Sequence, residues 1–215
     1  MRSINRGSFS AVIELAVTIC GIDGYNLILT NLALRIRLRL LLPLLLIGLA
    51  WLQELVDQLG FAGGWNLPMG PGTPWWTLLT APFSHSGFVH LLSNTLVFLP
   101  LSWLVLSKGL RPYLAVWIGV LFMEIPVWLF WSSTSHGLSG VVYGLLGYLL
   151  LIGFLERRLL AIALTVICFV LYGSALVALL PWQSAPGVSW IGHASGFVGG
   201  LLAALGIYQE PTLEQ

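Results

Sequence analysis

The chain has 215 residues, of which 58% are hydrophobic and only 8% charged, with a mean hydropathy of +0.93. A soluble domain carries about 25% charged residues, so the composition excludes an ordinary soluble fold and points to an all-α polytopic membrane protein. A net charge of +1 with no basic stripe leaves no electrostatic footprint for nucleic acid, and Cys20 and Cys168 stand alone, without disulfide or zinc spacing.

Residues 1–37 hold two short apolar runs, 9–20 and 25–34, broken by Gly21, Asp23 and Gly24. Neither reaches the ~20 residues of a span, so an N-terminal segment on the inner face or surface of the membrane is expected. An extra span is the alternative, and Glu14 and Asp23 count against it. Glu14 and the lack of a small-residue cleavage site also argue against a cleavable signal peptide. Arg35, Arg37 and Arg39 then precede six apolar segments: 40–56, 88–107, 112–131, 138–155, 159–180 and 189–208. Each has the length of a spanning helix, giving a six-helix core over 38–208 and a short tail, 209–215. The linking stretch 57–87 is rich in Gly and Pro and carries Trp65, Trp75 and Trp76, as expected of a loop in the outer headgroup layer.

All nine basic residues fall before the first segment, between the second and third, or between the fourth and fifth. With six spans these positions share one side, which the positive-inside rule makes cytoplasmic, with both termini there. A span before residue 37 would put Arg2 and Arg6 opposite the other seven. The same topology puts His85, His90, His136, His193, Asn94 and Ser139 together at the outer half of the membrane. Polar groups are rare at such depth and mark function.

Ser139 opens the fourth segment within Gly137-Leu-Ser-Gly-Val-Val-Tyr-Gly144. A helix starting here leaves free backbone N–H groups in its first turn, with the positive end of the dipole. Gly140, Gly144 and Gly147 form a small-residue face, and so do Gly196 and Gly200 one and two turns after His193. Two such faces let helices approach closely, which would bring His193 to Ser139 as base to nucleophile; a histidine tying a tight helix pair is the plainer reading. His90 and Asn94, four apart on one face, could donate to an oxyanion, or serve only as helix-packing polar groups. Tyr143 lies one turn beyond Ser139. His85, at the membrane edge, reads as solvated or loop-anchoring, His136 as a solvated loop residue, and Glu124 as a buried acid tied to the outer loop, with a third catalytic role as the alternative. There is no His-Glu-x-x-His for a zinc protease and no intramembrane carboxylate pair. The hydrolase elbow Gly-x-Ser-x-Gly fails at Val141.

His90-Leu-Leu-Ser-Asn94, Gly137-Leu-Ser139-Gly140 and Gly192-His193 with Gly196 and Gly200, in this order along a six-span chain, resemble the rhomboid intramembrane serine proteases over about residues 38–208. The resemblance implies Ser139 as nucleophile and His193 as general base, a dyad without an acid. It implies an oxyanion hole lined by His90, Asn94 and the Ser139 N–H, support from Gly137, and Tyr143 stacked on the His193 ring. The substrates would be transmembrane proteins, cut near the outer end of a transmembrane segment in a bacterial plasma (inner) membrane, with no metal or other cofactor. Two departures concern loop anchoring: Thr77 follows Trp75-Trp76 where the family often has Trp-Arg, and Ser102–Gly109 lacks a glutamate. The rival readings are a silent relative that binds and routes membrane proteins, and a transporter that uses the histidines for a metal or protons.

Overall fold

The computed structural model describes residues 22–183 and 189–209. Its elements are seven α-helices, α1 Ile22–Gly60, α2 Thr77–Thr80, α3 Phe88–Lys108, α4 Leu110–Phe130, α5 Ser139–Glu156, α6 Leu159–Tyr172 and α7 Trp190–Gln209, with 3-10 turns at Ala81–Phe83 and Gly173–Leu179. Apolar segments this long cannot leave backbone groups unpaired in lipid, so they become helices. Among the described residues five stretches, namely α3, α4, α5, Leu159–Leu179 and α7, are long and apolar enough to cross a membrane, and the chain is a multi-pass membrane protein. The first expected span, 40–56, lies within α1. The apolar run 25–34 is part of α1 as well, because the intervening arginines are good helix formers and interrupt nothing.

The chain divides into two units, residues 1–41 and 42–215. In the first, the described residues are helical, with Leu32, Leu34 and Leu38 exposed. The second unit holds the core and every candidate site residue. At its centre is α5, which packs chiefly on α7 and then α6; α7 also packs along α4. Glycine decides these approaches. A Cβ on Gly196 or Gly200 would overlap the carbonyl of Gly140 or Gly144, and Gly119 of α4 and Gly199 of α7 exclude each other's Cβ in the same way. The α5–α7 face was legible in the glycine spacing; the Gly119–Gly199 crossing was not.

The chain reverses between α3 and α4 at Gly109 alone, whose φ of +139° suits glycine. At that end Lys108 donates to both carboxylate oxygens of Glu156 at 2.8 Å, and Arg111 and Arg157 lie close by in sequence. Ser139 opens α5 at the opposite end, so the basic residues of this unit and the histidines occupy opposite ends of the bundle.

Candidate active site

Ser139 is the first residue of α5, and the loops before it hold it in place. Gly137, with φ at +113°, donates its N–H to the Ala81 carbonyl at 2.8 Å. Leu138 donates its N–H to His85 Nε2 at 3.2 Å. A Cβ on Gly137 would press on the His90 ring, so this position needs glycine twice, for its backbone angle and for room. Further out, Met69 and Ser135 exchange both backbone hydrogen bonds at 2.9 Å, and Trp128 Nε1 donates to the Thr73 carbonyl at 3.1 Å. The first loop is therefore a roof stitched to the segment before Ser139, a role that its Gly- and Trp-rich composition did not disclose.

His193 lies in the first turn of α7 and is 8% exposed. Its Nε2 is 3.0 Å from Ser139 Oγ, and its Nδ1 is 3.4 Å from the Ala178 carbonyl. A carbonyl only accepts, so the ring proton belongs on Nδ1 and the lone pair on Nε2 faces the serine. Tyr143 stacks on the imidazole, with centroids 4.3 Å apart and planes at 26°. The Tyr143 hydroxyl donates to the Ala175 carbonyl at 2.8 Å. One 3-10 turn, Gly173–Leu179, thus orients both rings through two backbone carbonyls. Sequence reasoning missed this turn, since main-chain acceptors leave no side-chain signal.

A cleft of about 480 Å³ opens over the pair and is lined in part by His90, Ser93, His136, Ser139 and His193. His90 Nδ1 is 3.2 Å from Ser86 Oγ. Asn94, one turn further along α3, is buried at 7% exposure, and its Nδ2 donor has no partner among the described residues. A buried amide without an acceptor is unusual.

Of the other two histidines, His85 takes the anchoring alternative and His136 departs from a solvated position. His85 is fully buried, because Leu138 needs an acceptor inside the roof, and it stands edge-on to His90 with centroids 5.1 Å apart. Burial first, and then the neighbouring His90, push its pKa down to about 3 against the partial counteraction of the Phe83 carbonyl. His136 is half-buried rather than solvated; burial, and secondarily His90, lower its pKa. Glu124 is buried, at 5% exposure. Its Oε1 lies against Gly140, and its Oε2 is buried with no partner among the described residues.

The helical membrane bundle thus presents a serine and a histidine at hydrogen-bond distance, at the end of a glycine-sealed helix pair. A rhomboid domain model matches residues 72–210, and the chain belongs to the rhomboid family. It is similar to uncharacterized proteins of Mycobacterium tuberculosis and Mycobacterium bovis, each 32% identical over 174 residues, covering 74% of this chain and 70% of the relative. A Mycobacterium leprae relative, also uncharacterized, is 31% identical over 175 residues, covering 73% of this chain and 66% of its own length. No solved structure matches the chain.

Proposed function

We propose that this chain is an intramembrane serine endopeptidase that hydrolyses peptide bonds in or near the outer end of substrate transmembrane segments. The observation that carries the reading is the 3.0 Å contact between His193 Nε2 and Ser139 Oγ, with the far ring nitrogen held by Ala178. In this mechanism Ser139 Oγ attacks the scissile carbonyl while His193 Nε2 takes its proton. His193 then returns the proton to the leaving amine, and a water activated by the same nitrogen hydrolyses the acyl-enzyme. The Ala178 carbonyl fixes the tautomer, as a carboxylate does in a triad.

Negative charge develops on the carbonyl oxygen in a partly desolvated cleft. Asn94 Nδ2, buried without an acceptor, is suited to stabilise it, with His90 and the Ser139 N–H. Family membership supports transmembrane proteins as substrates. The basic residues at the end of the bundle away from Ser139 support a cytoplasmic location for that end and for both termini, with 40–56 as the sixth span. The mycobacterial relatives support a bacterial plasma membrane. Residues 38–208 would form the protease core, between an N-terminal segment and a short tail.

The test is cleavage of a model transmembrane substrate in liposomes, together with labelling by a mechanism-based serine reagent. Ser139→Ala and His193→Ala are each expected to abolish cleavage, and the double variant to be little worse than either. Activity should survive a chelator. Near wild-type turnover by either single variant, with contaminating protease excluded, would overturn the dyad. A wild-type protein that neither cleaves nor labels would instead be a binding and routing relative.

A further inference from the structure

Helices α4 and α7 are in backbone contact at one level and leave space between them at another. At the crossing, Gly119 and Gly199 exclude each other's Cβ. Two turns further along α7, a Cβ on Gly206 would meet nothing within 4 Å. The space at that end, away from Ser139, is a groove of about 580 Å³ between the two helices. Leu110, Leu114 and Ile118, four apart on one face of α4, line one side, and Gly206 and Ile207 of α7 line the other. Arg111, exposed in the first turn of α4, is the one charged residue of the lining, and no acid is part of it.

We propose that this groove binds one anionic phospholipid, with an acyl chain between α4 and α7 and the phosphate on the Arg111 guanidinium. The proposal goes beyond the protease reading and does not depend on it. Length selects the occupant first. Leu110 to Ile118 covers about 12 Å of helix, and the Gly119–Gly199 contact closes the groove there. One leaflet of the hydrocarbon core is about 15 Å deep, so the groove has the reach of a single acyl chain. A spanning helix from a second copy would need a groove about twice as long. An extended peptide is excluded because an apolar lining cannot pair its backbone groups.

Charge then selects the headgroup. A guanidinium takes a phosphate bidentately. Arg157 and Arg158 are exposed at the same end of the bundle, where Glu156 is already paired with Lys108. That excess of positive charge favours a headgroup that is an anion overall over one that also carries an ammonium. Basic pockets between membrane helices hold anionic headgroups in this way, and one arginine at the membrane surface is worth about a fivefold preference. A lipid that binds only the folded chain also stabilises it.

The experiment uses the full chain purified in a nonionic detergent, with phosphatidylglycerol and phosphatidylcholine of identical acyl chains as probes and inorganic phosphate as a third. Bound lipid is counted by native mass spectrometry, and the thermal midpoint is followed alongside. Wild type is expected to hold one phosphatidylglycerol at least about fivefold more tightly than phosphatidylcholine, with a raised midpoint. Inorganic phosphate should leave the midpoint unchanged. Arg111→Gln should bring the preference between the two lipids near one. Gly206→Leu fills the groove with a better helix former; it should lose the bound lipid of either kind without lowering the lipid-free midpoint. Equal binding of the two lipids by wild type overturns the proposal by itself, should a variant fail to fold. So does a midpoint raised as far by inorganic phosphate as by phosphatidylglycerol, or lipid binding that both variants retain. A dimer that Gly206→Leu dissociates would show instead that a second copy covers the groove.

Discussion

Helices α5 and α6 are neighbours in sequence and in space, yet they solve opposite problems. The α6 stretch has the highest mean hydropathy of the candidate spans, 2.5, and only 17% of it is buried in the protein. Helix α5 has a mean hydropathy of 1.7, and 67% of it is buried. In water the more apolar helix would be inside. Lipid is as apolar as leucine, so hydrophobicity gives no preference for the interior, and close packing of small residues decides instead. Gly140, Gly144 and Gly147 make α5 central, whereas Val166, Val170 and Leu171 leave α6 facing lipid. The site follows from this, since the helix that can be sealed most tightly is the one that starts at Ser139.

The sharpest way to break that contrast is Gly200→Val. Its side chain would collide with the Gly144 carbonyl, and backbone cannot step aside. We expect a loss of at least about 3 kcal/mol, seen as a lowered thermal midpoint in detergent, together with loss of proteolysis and serine labelling. A midpoint unchanged by this substitution would deny the glycine face its role.

Next in size is Asn94→Ala, which asks whether the neighbouring α3 contributes chemistry or only packing to the α5 site. Loss of one oxyanion donor should lower kcat by about 10²–10³ and leave KM and the thermal midpoint nearly unchanged. An unfolded variant with normal activity per folded molecule would make Asn94 a packing residue.

A smaller effect concerns the roof that holds the start of α5. The unfolded chain protonates His85 near 6.5, while the folded protein keeps it neutral down to about 3. Between those values the unfolded state binds more protons, so stability is full above pH 6.5 and falls as the pH drops towards 3. His85→Gln keeps an acceptor for Leu138 but does not titrate. Its unfolding midpoint should vary less with pH across that window than the wild-type midpoint does.

The smallest expected change is Val170→Ala on the lipid face of α6, about 0.5 kcal/mol or less in the same thermal assay. An effect as large as that of Gly200→Val would erase the distinction between the two helices.

The sequence by itself determined the membrane-spanning helices, because a run of apolar residues must satisfy its own backbone hydrogen bonds; the bounds of α3, α4, α5 and α7 fall close to the apolar runs, whereas α6 ends at Tyr172 and a 3-10 turn completes its run. It also made the glycine faces of α5 and α7 legible, and with them the meeting of Ser139 and His193, since spacing at three and four residues places side chains on one helix face. Only the tertiary structure decided the rest. Backbone carbonyls of Ala175 and Ala178 orient Tyr143 and His193, and any residue could have supplied them. His85 read as either solvated or anchoring, and only the fold decided for a buried acceptor, because its partner, the Leu138 N–H, lies 53 positions away in sequence. Glu124 comes to rest beside Gly140 only through the crossing of α4 on the α5–α7 pair. Such contacts depend on where the chain returns in space, which periodicity along one helix does not encode.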